Sequence, residues 1–185
     1  MSLFKNLFLS AIAMLSVSAL HAQLEATHLF MHKESVNGFG AFIHVGFPVA
    51  KGDEISGELA FDYFSPNTNH IILVPLLVGY RHTFDGTGAG WYAEPVAGYS
   101  IGGTDVQRTD ANGAPIFNSD GTEQDEKCNG PIAGLGFGYI IPNPRYPINF
   151  GIRYEHIFVS GDPSPNMLNL RVSWSVFTSR RLQAQ

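Results

Sequence analysis

Eight short runs of alternating apolar and polar residues, separated by clusters of Gly, Pro, Asn and Asp, constrain this chain more than any other feature. Alternation with a period of two places successive side chains on opposite faces of an extended strand. Between residues 24 and 177 no segment sustains the 3.6-residue period of a helix. The pattern therefore predicts an all-β protein. The runs are residues 24–33, 38–47, 55–65, 70–83, 90–102, 131–141, 147–158 and 167–177.

The length of the runs indicates how the strands are arranged. Most contain about ten residues, which is the length that a tilted strand needs to cross the hydrocarbon of a membrane. Eight such strands close into a barrel whose interior is just wide enough to be filled by side chains. We expect an eight-stranded antiparallel up-and-down transmembrane β-barrel that spans residues 23–177.

The first 22 residues have the pattern of a secretory signal peptide. Lys5 is followed by a short apolar run and by small residues before Gln23, and the run is too short to span a bilayer as a helix. Cleavage after Ala22 and cleavage after Ala19 are both compatible with this pattern. We expect residues 1–22 to be removed during export, and no later stretch is long and apolar enough for a transmembrane helix.

Charge and cysteine content exclude some classes of function. Without Lys5 the chain has ten basic and sixteen acidic residues, a net charge of −6, and its basic residues are scattered. Nucleic-acid binding is therefore disfavoured. The single cysteine, Cys128, cannot form an internal disulfide, and its neighbours Asp125 and Glu126 disfavour a reactive thiolate. We expect this cysteine to be inert.

The lengths of the connections predict which end of the barrel faces outward. If the N-terminus is periplasmic, the second, fourth and sixth connections are periplasmic turns, at residues 48–54, 84–89 and 142–146. All three are short. The remaining connections then face outward, and the one long insertion, residues 103–130, is among them. Long outer loops and short inner turns are typical of outer-membrane barrels.

Three stretches of alternating glycine, apolar and aromatic residues carry a family resemblance. They are residues 72–81 (ILVPLLVGYR), 91–100 (WYAEPVAGYS) and 149–156 (NFGIRYEH). These stretches resemble the outer membrane protein β-barrel domain family, which includes OmpA-like and OmpX-like eight-stranded barrels. The resemblance covers nearly the whole mature chain. It implies an outer-membrane location, with outer-membrane lipid and the barrel-assembly machinery as partners.

The C-terminal end departs from the family pattern. Such barrels commonly end on an aromatic residue in phase with the lipid-facing side chains. Here Trp174 is in phase, Phe177 is off phase, and residues 178–185 follow as a predicted periplasmic tail.

The alternation also assigns the faces of the strands. An arginine facing lipid near the middle of the bilayer would cost roughly 2 to 4 kcal/mol, so the charged faces must point inward. Short turns then bring charged residues of neighbouring strands together. The expected neighbours are His44 and Glu58, Arg81 and Glu94, and Arg171 with Arg153 and Glu155. With Asp62 these residues form the predicted lumen charge network, which we expect to plug the barrel.

The long insertion is the expected site of surface contact. Its acidic residues suggest a calcium site, but they lack an ordered ligand spacing. The Asn112-Gly113 and Asp120-Gly121 pairs predict instead the turns of a surface hairpin. Ile116 and Phe117 lie between these turns and are the candidate contacts for an extracellular partner.

Other motifs have structural interpretations. His28 and His32 form the one histidine pair at a metal-ligand spacing, and we expect both on the inward face of the first strand as lumen histidines. Gly134, Gly136 and Gly138 alternate within a strand and are expected to form its small-residue lumen face. No metal or other cofactor is expected.

We expect a non-enzymatic outer-membrane barrel with a plugged polar lumen, which presents its outer loops for surface interaction or envelope integrity. Two alternatives remain. Some small outer-membrane barrels modify lipid A, and Glu155, His156 and Ser160 lie near an outward strand end. Glu155 and His156 are adjacent, however, so they point to opposite faces, which separates a catalytic base from its orienting acid. A soluble periplasmic barrel carrying a hydrophobic ligand is the second alternative, and it would need its apolar face inward.

Overall fold

The computed structural model describes residues 19–31, 35–65, 70–104, 114–118, 120–122, 128–143, 147–159 and 164–175. Within these residues eight strands form one closed barrel, in which each strand pairs antiparallel with its sequence neighbours and the last pairs with the first. The strands are β1 (Ala19–Phe30), β2 (Ser35–Ala50), β3 (Asp53–Phe64), β4 (Ile71–Thr83), β5 (Gly90–Thr104), β6 (Gly130–Ile141), β7 (Ile148–Ile157) and β8 (Asn166–Ser175). The predicted eight-stranded up-and-down barrel is confirmed. The described residues include no helix that is long and apolar enough to cross a membrane.

Several strands extend beyond the predicted runs, because backbone pairing continues where the side-chain alternation weakens. β1 begins at Ala19, five residues early, since its first residues pair with β2. β5 ends at Thr104, which shortens the long connection to residues 105–129. β2 continues to Ala50, and Gly52 then takes a positive φ of 83° in a two-residue turn.

Burial alternates along each strand and separates an inward face from an outward one. On β7, Arg153 is 1% exposed, whereas its neighbours Ile152 and Tyr154 are 44% and 50% exposed. Charged side chains therefore occupy the interior while apolar side chains cover the outside. This distribution is the reverse of that in a soluble globular protein.

The interior has two zones. We call the end with the connections β1–β2, β3–β4, β5–β6 and β7–β8 the loop end, and the opposite end the turn end. Near the loop end the interior is filled by an apolar cluster, which comprises Leu29, Val36, Phe64, Ile71, Leu73, Leu77, Val96, Cys128, Ile132, Ile157, Val159 and Met167. The rest of the interior, toward the turn end, is polar. The expectation of a polar lumen is therefore wrong for the loop-end half.

The sequence of β4 explains why this apolar zone was not predicted. Residues 71–78 are apolar on both faces, with Ile71 and Leu73 inward and Ile72 and Leu76 outward. A run without polar alternation gives no sign of which side chains meet lipid and which meet the interior.

Candidate functional site

Arg153 lies at the centre of the polar interior and joins three strands. Its guanidinium donates hydrogen bonds to Glu58 on β3, at 2.7 and 3.3 Å, and to Glu94 on β5, at 2.8 Å. A further contact of 3.4 Å reaches Glu155 on its own strand. Because β3 lies opposite β7 in an eight-stranded ring, these bonds cross the lumen. The guanidinium thus bridges facing walls of the barrel.

Arg81 forms the part of the network nearest the turn end. It donates to both carboxylate oxygens of Glu94, at 3.2 and 3.3 Å, and lies 3.5 Å from Glu54. Its guanidinium also lies 4.7 Å from the centroid of the Tyr92 ring, within the range of a cation–π contact. Ser56 donates a further hydrogen bond of 3.0 Å to Glu94.

His44 links Glu54, a neighbour of Arg81, to Glu58 at the centre of the network. It lies opposite Glu58 in the ladder between β2 and β3, and its Nδ1 is 3.6 Å from a Glu58 carboxylate oxygen. Its Nε2 donates to Glu54 at 3.0 Å. The imidazole is almost wholly buried, so its orientation is set by these two carboxylates.

Arg171 has different partners from those expected from the sequence. Its Nε lies 3.1 Å from Glu25 and its Nη2 lies 2.8 Å from Glu58, while its guanidinium covers the Phe42 ring at 3.4 Å. It is linked to Arg153 through their shared partner Glu58 rather than through Glu155. Among the described contacts Arg171 makes no direct ion pair with its expected neighbour Glu155, because Arg171 lies opposite Gly151 in the ladder, four residues before Glu155.

The two remaining predicted members lie at the edge of the network nearest the apolar cluster. Asp62 accepts a hydrogen bond of 3.3 Å from Thr27 and lies beside Glu25. Glu155 accepts one of 2.9 Å from Asn169. All eight predicted members of the network are thus buried in one connected group inside the barrel.

Two carboxylates of the network, Glu25 and Glu54, were not identified from the sequence. Glu25 is buried on the inward face of β1 and pairs across the ladder with Arg171. The first run has polar residues on both faces, so its phase was ambiguous. Glu54 was assigned to a turn, but β3 begins one residue before it, and its carboxylate enters the lumen.

Inward-facing glycines make room for the large interior side chains. A Cβ atom at Gly138 would lie 2.5 Å from the Tyr92 hydroxyl, and one at Gly151 would lie 2.7 Å from the same atom. Tyr92 fills the turn-end part of the lumen because these two positions have no side chain. The predicted small-residue face of β6 is present at Gly134, Gly136 and Gly138.

The placement of His28 corrects a sequence-based expectation. His28 shares the outward face of β1 with Leu24, Ala26 and Phe30, all of which are exposed, so it is not a lumen histidine. Its Nδ1 lies 2.7 Å from the Asn37 side-chain oxygen on β2. The wrong facing of His28 and the omission of Glu25 have the same origin. Successive residues of a strand face opposite sides, so assigning His28 to the lumen removed Glu25 from it. His32 lies outside the described residues.

The long connection is described in part. Asn118 and Thr122 close a turn in which the Thr122 backbone N–H donates to the Asp120 carboxylate and Gly121 has a φ of 83°. The predicted Asp120-Gly121 turn is confirmed, while Asn112-Gly113 lies outside the described residues. The hydroxyl and backbone N–H of Thr122 lower the pKa of Asp120.

Ile116 and Phe117 precede this turn. Ile116 is half-buried and Phe117 is 55% exposed. In the described ranges, no three His, Cys, Asp or Glu side chains come together as a group that could hold a metal ion. Most of the loop's acidic residues lie outside those ranges.

Comparison with solved structures finds the same architecture in bacterial outer-membrane proteins. Neisserial surface protein A (NspA) matches with a TM-score of 0.62 and 14% identity, covering 85% of this chain and 95% of NspA. Ail, the attachment invasion locus protein of Yersinia pestis, matches with a TM-score of 0.53 and 10% identity, with the same coverage. A second structure of Ail, in complex with the heparin analogue sucrose octasulfate, matches with a TM-score of 0.51 and 11% identity, again with that coverage.

At these identities the likeness establishes the fold and nothing further. No protein-family model and no curated protein matches the sequence.

Proposed function

We propose that this chain is a non-enzymatic β-barrel of the Gram-negative outer membrane, with a plugged interior and outward loops that contact an extracellular partner. One observation carries the location. Arginines and glutamates are buried inside the barrel, while the outside is covered by exposed Leu, Ile, Phe, Tyr and Trp side chains. Only a hydrocarbon surrounding stabilises an apolar surface of this extent.

The same observation argues against a soluble periplasmic carrier. A barrel that carries a hydrophobic ligand in water needs an apolar interior and a polar outside, whereas here Arg153 and Glu94 cross the interior and Leu135 and Phe150 lie outside. Cell fractionation tests the location directly. We expect the protein in the outer membrane and extracted only by detergent, with heat-modifiable migration in gels; recovery in the soluble periplasmic fraction would refute it.

The interior supports a plug rather than a pore. Arg153 links β7 to β3 and β5 across the lumen, and the apolar cluster fills the loop end above it. Water has no continuous polar path through packed apolar side chains. We expect no steady conductance when the purified barrel is inserted in a planar bilayer. Stable open channels would contradict this part of the proposal.

The positions of Glu155 and His156 on β7 support a non-enzymatic function, because the two side chains lie on opposite faces of the strand. Glu155 is buried in the lumen and His156 points outward, where its Nδ1 lies 2.7 Å from the Asn166 oxygen. Asn166 is neutral, so it gives this imidazole no negative charge of the kind that the carboxylate of a Ser-His-Asp triad gives the imidazolium. The lipid-modifying alternative predicts altered lipid A, so mass spectrometry of lipid A from cells with and without the protein distinguishes the two.

Surface contact is assigned to the long loop because the other surfaces are generic or small. The lipid-facing wall resembles that of any barrel, and the turns at the opposite end are short. The loop between β5 and β6 carries six acidic and two basic residues, together with the exposed Phe117. Its charge is opposite to that needed for a sulfated ligand such as the one held by Ail, so we expect a partner with basic and apolar groups.

A loop replacement tests this assignment. Residues 105–127 are exchanged for a short glycine-serine turn, which keeps Cys128 in the apolar cluster and should leave folding intact because loop closure depends only weakly on length. Phe117→Ala is the point variant, and Phe84→Ala at the turn end, of similar exposure at 59%, is its matched control. We expect both loop changes to abolish cell-surface binding while Phe84→Ala does not. An unchanged surface phenotype in the loop replacement would refute the assignment.

The barrel-assembly machinery and outer-membrane lipid are the proposed partners during folding. The last outward aromatic residue of β8 that the structure describes is Trp174, and it is 40% exposed to the surroundings of the barrel. The signal peptide at residues 1–22 and the periplasmic tail at residues 178–185 belong to the same proposal.

A further inference from the structure

Two carboxyl groups meet inside the barrel at the level of Gly40. In the ladder Glu25 of β1 pairs with Gly40 of β2, and Gly40 pairs in turn with Asp62 of β3, so the three inward positions lie at the same height. A Cβ atom at Gly40 would lie 3.0 Å from Cγ of Glu25 and would overlap an oxygen of the Asp62 carboxyl group. Glycine therefore leaves the gap across which the two side chains approach each other. Their carboxyl groups are in hydrogen-bond contact.

A hydrogen bond between two carboxyl groups needs a proton. An ionised carboxylate accepts hydrogen bonds and has none to donate. Two carboxylates in contact would also place like charges together in an interior with little water, where their repulsion is strong. The contact between Glu25 and Asp62 is therefore favourable only if one of the two groups is a neutral carboxylic acid that donates to the other.

The charge balance of the interior also points to a bound proton. Among the described residues, the lumen contains the guanidiniums of three arginines, the imidazole of His44 and six carboxyl groups. These carboxyl groups are those of Glu25, Glu54, Glu58, Asp62, Glu94 and Glu155. Even with a protonated imidazole, two carboxylates are left without a cation. Glu54 is 25% exposed and can keep its charge in contact with water, whereas a fully buried carboxyl group without a cation is neutralised instead.

Asp62 is the buried carboxyl group that lacks a cation. It is 1% exposed, and no ion pair among the described residues reaches it. Glu25, in contrast, has the Nε of Arg171 at 3.1 Å. The other hydrogen bond of Asp62 comes from the Thr27 hydroxyl, at 3.3 Å. A proton on Asp62 therefore removes the uncompensated charge and supplies the donor for the contact with Glu25.

An unpaired acceptor beside this pair also indicates a shortage of donors. Asn169 of β8 pairs with Thr27 in the ladder, and its amide donates to Glu155 at 2.9 Å. The side-chain oxygen of Asn169 is buried and has no donor in the part of the chain that the structure describes. Because Thr27 and Glu155 both face Asp62, this oxygen belongs to the same acidic group. Buried acceptors normally have a donor, so the group is short of protons.

The surroundings of the pair favour a proton over a metal ion. The charged side chains that face it are Glu58 of β3, Arg153 and Glu155 of β7, and Arg171 of β8. At this height β2 and β4 contribute the uncharged Gly40 and Leu73. The two guanidiniums repel a metal cation, and the described residues include no group of three His, Cys, Asp or Glu side chains suited to hold one. A proton needs only the two oxygens that are already in contact.

We propose that Glu25 and Asp62 form a proton-binding site, in which one proton is held between them at neutral pH and links β1 to β3 across β2. Asp62 is the O–H donor, and the carboxylate of Glu25, paired with Arg171, is the acceptor. The site belongs to the interior and does not depend on the surface contact assigned to the loops. When the proton leaves, two carboxylates remain in contact and destabilise the barrel, so the fold responds to pH through this pair.

Infrared spectroscopy detects the proton directly. Ordinary Asp and Glu side chains titrate at about pH 4 and are ionised at pH 7, so the C=O band of a protonated carboxyl group at pH 7 reports a held proton. The mature protein is folded in a detergent without carbonyl groups, because lipid esters absorb in the same region. We expect this band at pH 7. Its absence, whether the pair is ionised or holds a metal cation, would overturn the proposal.

Matched variants assign the band to the pair. Asp62→Asn and Glu25→Gln each introduce an amide that donates to the remaining carboxylate, so neither needs the proton and both should lose the band. Asp53→Asn makes the same change on the same strand at the turn end, where Asp53 lies 2.6 Å from the exposed His82, and should keep it. Heat-modifiable migration verifies folding, and either variant of the pair suffices if the other does not fold. A band that persists in the folded variants of the pair would overturn the assignment.

Stability measured against pH tests the consequence. The folded barrel holds a proton that the unfolded chain releases above about pH 4, so a rising pH favours unfolding until the folded barrel also releases it. Relative to Asp62→Asn, the unfolding equilibrium constant of the unmodified barrel should rise by up to roughly tenfold per pH unit from about pH 5 toward pH 7. The histidines and the α-amino group are the same in both proteins and cancel in this ratio. A ratio that does not change with pH would overturn the proposal.

Discussion

Replacement of Arg153 by methionine is the most direct perturbation of the interior. The guanidinium makes four contacts of 3.4 Å or less with three carboxylates, and its side chain is 1% exposed. Removing one partner of a buried ion pair typically costs about 3 to 5 kcal/mol. Each carboxylate retains another donor here: Glu58 keeps Arg171, Glu94 keeps Arg81 and Glu155 keeps Asn169. We therefore expect a loss near the lower limit, about 3 kcal/mol.

Two neighbouring changes provide a scale for this loss. Glu155→Gln weakens one contact of 3.4 Å with Arg153 and should cost about 1 kcal/mol. Ile152→Val removes one methylene from an exposed, lipid-facing side chain and should cost about 0.5 kcal/mol. All three variants lie close together on β7, so they share nearly the same local backbone structure.

Urea unfolding of the vesicle-embedded barrel, followed by tryptophan fluorescence, measures the free energy of unfolding of each variant. Heat-modifiable migration establishes that each starts from the folded barrel. The expected order of destabilisation is Arg153→Met, then Glu155→Gln, then Ile152→Val. If Arg153→Met were as stable as the unmodified protein, or less destabilising than Ile152→Val, the assignment of a central interior bridge would be wrong.

Three further outcomes are expected. Gly138→Ala places a Cβ against the hydroxyl of the lumen tyrosine and should destabilise the barrel by about 1 to 3 kcal/mol in urea unfolding, whereas Gly57→Ala, which meets no atom within 4 Å, should not. In an NMR titration the pKa of Asp120 should lie below 3.8 because Thr122 donates to its carboxylate. The ionised carboxylate then stabilises the turn above the unfolded-state pKa, and this stabilisation is lost as the pH falls through the folded-state pKa. N-terminal sequencing of the mature protein should find a cut after Ala22, which leaves eight residues of β1; a longer N-terminus would refute that site.

Local side-chain alternation determined most of the architecture of this protein. The eight runs predicted the eight strands, and the cost of placing Arg153 or Arg171 in lipid assigned the inward faces of β7 and β8. The short turns predicted that His44 and Glu58 lie side by side. These inferences need only neighbouring residues in the sequence, since a period of two and a tight turn are local properties. Alternation weakens in β1, so His28 was assigned to the wrong face. It also weakens in the first half of β4, so the apolar zone at the loop end was not predicted.

Tertiary structure alone decided which charges meet across the lumen. Arg153 reaches Glu58 from the opposite side of the ring, 95 residues earlier in the sequence, and Arg171 reaches Glu25 only because β8 closes on β1. Strand number, tilt and the stagger of the ladder together set the height at which each inward side chain lies. A change of stagger moves every cross-lumen contact and leaves the alternation of each strand unaltered, so the sequence pattern of single strands does not encode these partners.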